Sequence, residues 1–146
     1  MDRIDREILS VLAADGRRSY REIGEAVHLS ANAVAERVRR LLKEGAVRAI
    51  RADIDPAVVG RPVEAQIDVK LRPGISAEDF ERALLLLPQV VSATLMTGTY
   101  DYVLRVACTD RADLVHVTET LRSRSGALET YGRVILREVR LPPWRC

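Results

Sequence analysis

The chain has 146 residues, 47% hydrophobic and 30% charged, with a formal net charge of +2, a globular composition long enough for one ordinary domain or two small ones. That balance singles out no nucleic acid, membrane or acidic substrate, so the distribution of charge along the chain must decide. The opening MDRIDREILSVL carries Asp2, Asp5 and Glu7 and lacks the basic start of a secretory signal, and no run approaches the roughly 18 apolar residues of a membrane helix.

The first apolar residues, Ile4, Ile8, Leu9, Val11 and Leu12, recur at helical spacing and predict a helix over 2–15, closed by Gly16. Ser19 followed by Glu22 is a capping box; it starts a second, short helix that turns Ile23, Ala26 and Val27 inward and ends near His28. Ser30 caps a third helix, in which Val34, Val38 and Leu41 share one face until Gly45 stops it. AVRAIRADID, residues 46–55, reads as a strand or extended connector. Pro56 and Gly60 mark a linker over 53–62, which separates a helical part, residues 1–52, from residues 63–146.

VEAQIDVKL, residues 63–71, alternates apolar and polar positions strictly and predicts a half-buried strand. A helix runs from Ser76 to Pro88, then a strand over QVVSATLMT, a three-residue turn TGT, and a strand over YDYVLRVAC. Asp110 caps a helix over RADLVHVTETLRS, Gly126 ends it, and ETYGRVILREVRL forms a final strand before Pro142 and Pro143. Strand, helix, strand, strand, helix, strand is the order of a ferredoxin-like βαββαβ sandwich, so the fold class is α+β. Val103, with Val134 or Leu136, points away from the helices and predicts that the outer sheet face is buried against a second copy, as a homodimer.

Little in the chain suggests catalysis or metal binding. Cys108 sits in an apolar run as a core filler, Cys146 stands at the end, and His28 and His116 lie apart without clustered partners. No catalytic residue, cofactor or metal site is expected, and a cytoplasmic protein is.

The third helix carries a different signal. At 100° per residue, Asn32, Glu36, Arg39 and Lys43 lie opposite its apolar stripe, and Arg37 and Arg40 flank that stripe. Any exposed helix needs polar residues, but a short capped helix, a tight break and a longer helix with a small-residue start make a helix-turn-helix pattern, whose second helix enters the DNA major groove. Ala31 and Ala33 let the backbone approach base edges, Asn32 suits adenine and Glu36 suits a cytosine amine. Arg37, Arg39, Arg40, Lys43, Arg48 and Arg51 give residues 36–51 a net charge of +4, suited to phosphates. Ser19, Tyr20 and Ser30, at the two helix starts, complete the expected contacts to double-stranded DNA.

The stretches DRIDREILSVLAADGRRSYREIGEAVHLS, ERVRRLLKEGAVRAIRADIDPAVVG, TGTYDYVLRV and SGALETYGRVIL together resemble the leucine-responsive regulatory protein and AsnC family of transcription regulators, over nearly the whole length. The resemblance implies an N-terminal winged helix-turn-helix and a C-terminal ligand-sensing ferredoxin-like domain, in dimers that assemble into tetramers or octamers. It implies an amino-acid effector near Thr97, Gly98, Thr99, Tyr100 and Asp101, with help from Ala127, Thr130 and Gly132. Backbone N–H groups around Gly98 would hold a carboxylate, Asp101 an ammonium, and the Thr130 hydroxyl would fix orientation. Two departures stand out: SGA replaces the family's Pro-Gly-Val, and Thr130-Tyr131-Gly132 replaces its Thr-x-Thr pair, which removes a hydroxyl and adds bulk. Two alternatives share the fold. One is an enzyme similar to the sirohaem decarboxylases, for which His28 and His116 assemble no pair; the other is a metabolite-sensing oligomer without a DNA target.

Overall fold

The computed structural model describes residues 1–139. They form two compact units, one built on residues 1–53 and the other on residues 54–138.

The first unit holds three helices, α1 (Arg3–Ala14), α2 (Tyr20–Val27) and α3 (Ala31–Lys43). Each begins on a side chain that satisfies free backbone donors: Asp2 and Asp5 form a reciprocal capping box at α1, Ser19 and Glu22 another at α2, and Ser30 accepts from the Ala33 amide at α3. The apolar faces of all three meet in one core of Ile8, Ile23, Val27, Val34, Val38 and Leu41. Ala26, expected inside, is exposed, and the buried small residue of α2 is Gly24. The α2–α3 turn explains the exchange. His28 takes a left-handed conformation (φ 58°), and the Leu29 amide returns to donate to the Gly24 carbonyl at 2.9 Å. A Cβ on Gly24 would stand 2.4 Å from the Leu29 carbonyl oxygen, so the turn needs glycine there for space. Residues 46–55 carry no strand. Val47 packs against the helical core and the remainder is an irregular connector, so among the described residues the unit has no wing built from strands.

In the second unit a single 3-10 turn, Pro56–Val59, ends at Gly60 (φ 78°) and leads into β1 (Val63–Leu71), α4 (Ala77–Leu84), β2 (Val90–Leu95), β3 (Tyr102–Cys108), α5 (Arg111–Ser123) and β4 (Ala127–Val134). The four strands form an antiparallel sheet in the order β2-β3-β1-β4. Ala65, Ile67, Val69, Leu104 and Val106 face Phe80 and Leu84 of α4 and Val117 and Leu121 of α5, all within one core. Phe80 and Tyr102 pack with their rings tilted by 49°, 4.8 Å between centroids.

Four expectations are corrected here. First, α4 stops at Leu84 rather than Pro88; Leu85 and Leu86 are 84% and 82% exposed, while Leu87 returns to the core. Second, the β2–β3 connection is Met96–Asp101 rather than three residues, and it is closed by the Met96 amide donating to the Asp101 carbonyl at 2.8 Å. Third, β4 ends at Val134, and residues 140 and 141 of the expected strand, like Pro142, Pro143 and Cys146, lie outside the described residues.

The fourth correction concerns the outer sheet face. Register sets Val134 opposite Ala65, on the helix side, and Leu136 lies beyond the strand, which leaves Val103 and Ala107 among charged neighbours. Arg105 pairs with Glu64 and Glu138, and Arg133 with Asp68, each at 2.8 Å. The face is polar and laced with ion pairs, not an apolar stripe.

Candidate nucleic-acid interface and effector site

Val34, Val38 and Leu41 anchor α3 with no exposed surface. On the opposite side Asn32, Glu36, Arg39 and Lys43 are all exposed, as a 3.6-residue period requires. At the start of α3 Ala31 is exposed and Ala33 half-buried, and the Ser30 hydroxyl is engaged by the Ala33 amide at 3.2 Å. Ser19 is similarly engaged with Glu22, while Tyr20 is exposed beside it.

Arg37 and Arg40 turn the other way. Of the cations expected at phosphate, these two reach α1: Arg37 donates to Asp2 at 2.6 Å and to Asp5 at 2.8 Å, and Arg40 to both Asp5 oxygens at 2.8 Å. The Asp5 side chain is 1% exposed. Hydrogen bonds from Arg37 and the Asp5 amide hold the Asp2 carboxyl down at about 2. The Asp2 amide, then Arg37 and Arg40, hold Asp5 below the usual carboxylate range, and the two aspartates raise Arg37 in turn. This network escaped the sequence reading, although a signal existed. Asp5 lies one turn before Ile8 on the apolar face of α1, where a carboxylate requires a cationic partner.

In the second unit Thr97, Gly98 and Thr99 are exposed, Gly98 at φ 117°, and Tyr100 is half-buried. The Asp101 carboxylate accepts from the Leu71 amide at 2.8 Å and Lys70 Nζ at 3.1 Å, which hold it below its ordinary range in that order of importance. A ligand ammonium at Asp101 would therefore compete with Lys70. Thr130 pairs with Val69, and its hydroxyl accepts from Arg122 Nε at 2.8 Å; Arg122 was not foreseen in this region. Gly132 is exposed with open space around it, whereas the Ala127 side chain is buried in the core, leaving its backbone. The Asp101 amide donates to the Val69 carbonyl. The two segments thus flank the same end of β1, about 10 Å apart across two strand spacings.

Among the described residues no group of three or more His, Cys, Asp or Glu could hold a metal ion, and no helix is long and apolar enough to cross a membrane. Burial pushes the Cys108 thiol up to about 11, so it behaves as an inert core residue.

A short capped helix, a tight turn and a second helix with one exposed face is the arrangement of a DNA-binding helix-turn-helix, and the same chain carries a βαββαβ sandwich. The AsnC-type helix-turn-helix domain matches residues 1–42, and the Lrp/AsnC ligand binding domain matches residues 64–144. The chain is 35% identical over 144 residues to the Bkd operon transcriptional regulator of Pseudomonas aeruginosa, covering 97% of this chain and 94% of that one. It is 32% identical over 143 residues to the transcriptional regulator AldR of Mycobacterium tuberculosis, covering 96% and 80%. Among solved structures, a transcriptional regulator of Neisseria meningitidis in complex with L-Met superposes with a TM-score of 0.86 at 33% identity, covering 97% of this chain and 94% of that chain. The chain belongs to the Lrp/AsnC family of helix-turn-helix transcriptional regulators.

Proposed function

We propose that the N-terminal half of α3 reads base edges in the DNA major groove and that an amino acid bound by the second unit tunes assembly or DNA affinity. The observation that carries the DNA half is the division of α3, with Val34, Val38 and Leu41 fully buried and Asn32, Glu36, Arg39 and Lys43 exposed. Asn32 and Glu36 read sequence, and Arg39, Lys43, Arg48 and Arg51 meet phosphate. The amino-acid half is supported by the likeness to a regulator crystallised with L-Met and by the Thr97–Asp101 loop lying at the same sheet end as Thr130. In this reading residues 1–52 bind DNA, 53–62 link, and 63–146 bind effector and assemble homodimers into tetramers or octamers in the cytoplasm, without catalysis. Capture of bound DNA across the source genome, with and without an amino-acid mixture, tests both halves. Discrete sites whose occupancy shifts with the mixture are expected; uniform recovery of all sequences in both conditions would refute the proposal.

A further inference from the structure

The exposed and buried cations of α3 divide by angle. Relative to Val34, Val38 and Leu41 lie within about 40° of the centre of the buried stripe, Arg37 and Arg40 about 60° and 120° round on one side, and Arg39 and Lys43 about 140° and 180° away. The first pair is matched by two carboxylates at the start of α1, its cap Asp2 and Asp5. Arg40 lies 4.0 Å from a third carboxylate, Glu44. The second pair forms no ion pair among the described residues.

Apolar contacts are non-directional, and three of them along a narrow stripe resist separation of the helices better than rotation of α3 about its own axis. Guanidinium–carboxylate bonds are directional, and both act on the same side of that axis, between helices 32 and 35 positions apart in sequence. Rotation matters because side-chain tips stand about 5–6 Å from a helix axis, so a 10° roll moves them by about 1 Å. That is about twice the tolerance for a set of hydrogen bonds to a base edge.

We infer that Asp5, supported by Asp2, is a positioning residue for sequence readout: its grip on Arg37 and Arg40 fixes the roll of α3 and withholds both guanidinia from DNA phosphate. This rests on α3 being the DNA-reading helix. Its consequence is that two arginines in the middle of the recognition helix contribute discrimination between sequences and not electrostatic affinity. Arg39 and Lys43 do the reverse.

The experiment measures affinity of the intact chain for a captured genomic site and for a scrambled duplex of equal length, across a salt series, alongside thermal unfolding. Arg39→Gln and Lys43→Gln are each expected to flatten the log–log salt dependence by about one per engaged protomer, at unchanged discrimination. Arg40→Gln should leave the slope unchanged and cut discrimination about tenfold, the scale of one well-placed base contact. Asp5→Asn should lose discrimination and steepen the slope, because it releases Arg40 from its carboxylate on α1, while Arg37 keeps Asp2. Should Asp5→Asn prove unfolded, Arg40→Gln decides alone: it removes the Nη2 group that bonds both Asp5 oxygens, so discrimination falls while the slope holds. Flattening by Arg40→Gln equal to that of Arg39→Gln, with discrimination intact, would overturn the inference and make Arg40 an ordinary phosphate contact. An unsubstituted chain that cannot tell the captured site from the scrambled one would instead refute the DNA reading beneath it.

Discussion

Gly24→Val is expected to abolish DNA binding by the intact chain while leaving the second unit folded. The added Cβ would stand 2.4 Å from the Leu29 carbonyl oxygen and 3.4 Å from its carbon. Both are backbone atoms, so no side chain can swing aside. The α2–α3 turn has little slack: three residues separate Val27 from Ala31, His28 is already left-handed, and the Leu29 amide is bound to the Gly24 carbonyl. Relief requires α2 and α3 to part, which opens the contact of Ile23 and Val27 with Val34 and Val38. Overpacking of this kind costs about 3 kcal/mol or more when backbone must move, a large share of the stability of a three-helix unit. Fluorescence anisotropy with labelled DNA should show at least a hundredfold weaker binding, and far-ultraviolet dichroism should retain the sheet signal. Ala26→Val, on the exposed side of the same helix, is the control and should bind as the parent does.

Leu104→Ala should destabilise the second unit by about 3 kcal/mol, within the range for emptying a well-packed site. Leu104 is fully buried at the middle of the sheet, between Ile67 on β1 and Ala93 on β2. Backbones hydrogen-bonded on both sides cannot close in on the void. Leu86→Ala removes the same atoms from a side chain that is 82% exposed and should change stability by less than about 0.5 kcal/mol. Thermal unfolding of the two variants side by side checks both values, and equal losses would contradict the placement of the four consecutive leucines.

Those leucines show where sequence reading reaches its limit. ALLLLP is apolar on every face, so periodicity cannot say which leucine is core. The fold decides it through the need to turn back towards β2: the Leu87 amide donates to the Leu84 carbonyl and the Val90 amide to Leu87, which draws Leu87 inward and turns Leu85 and Leu86 out. By contrast, β1 was legible to the residue because its alternation is strict, and the helix-turn-helix was legible because caps and apolar period agree at Ser19, Glu22 and Ser30.

Apolar alternation without a neighbour misled at the far end. The residues after Val134 continue a strand-like pattern, but β1 begins at Val63, and the Ile135 amide to the Glu64 carbonyl is the last bond it offers. Likewise, Asp101 reads as strand from its neighbours, yet its carboxylate is drawn to Lys70 and the Leu71 amide, so it closes the loop and β3 starts at Tyr102. On α3, sequence located the exposed side but could not assign Arg37 and Arg40, because their partners lie at the start of α1. Counting cations along a segment measures charge; which of them are already neutralised is a tertiary fact.

Sequence-specific regulation by this chain depends on base reading by the exposed end of α3. Titration of Asn32→Ala against a captured genomic site and a scrambled duplex at one salt concentration tests this most directly. Asn32 is exposed on the first turn of α3 and has no side-chain partner among the described residues, so the substitution should spare the fold. The account predicts that affinity for the genomic site falls by about 1–3 kcal/mol while affinity for scrambled DNA is unchanged. Equal loss on both, or no loss on either, would contradict it.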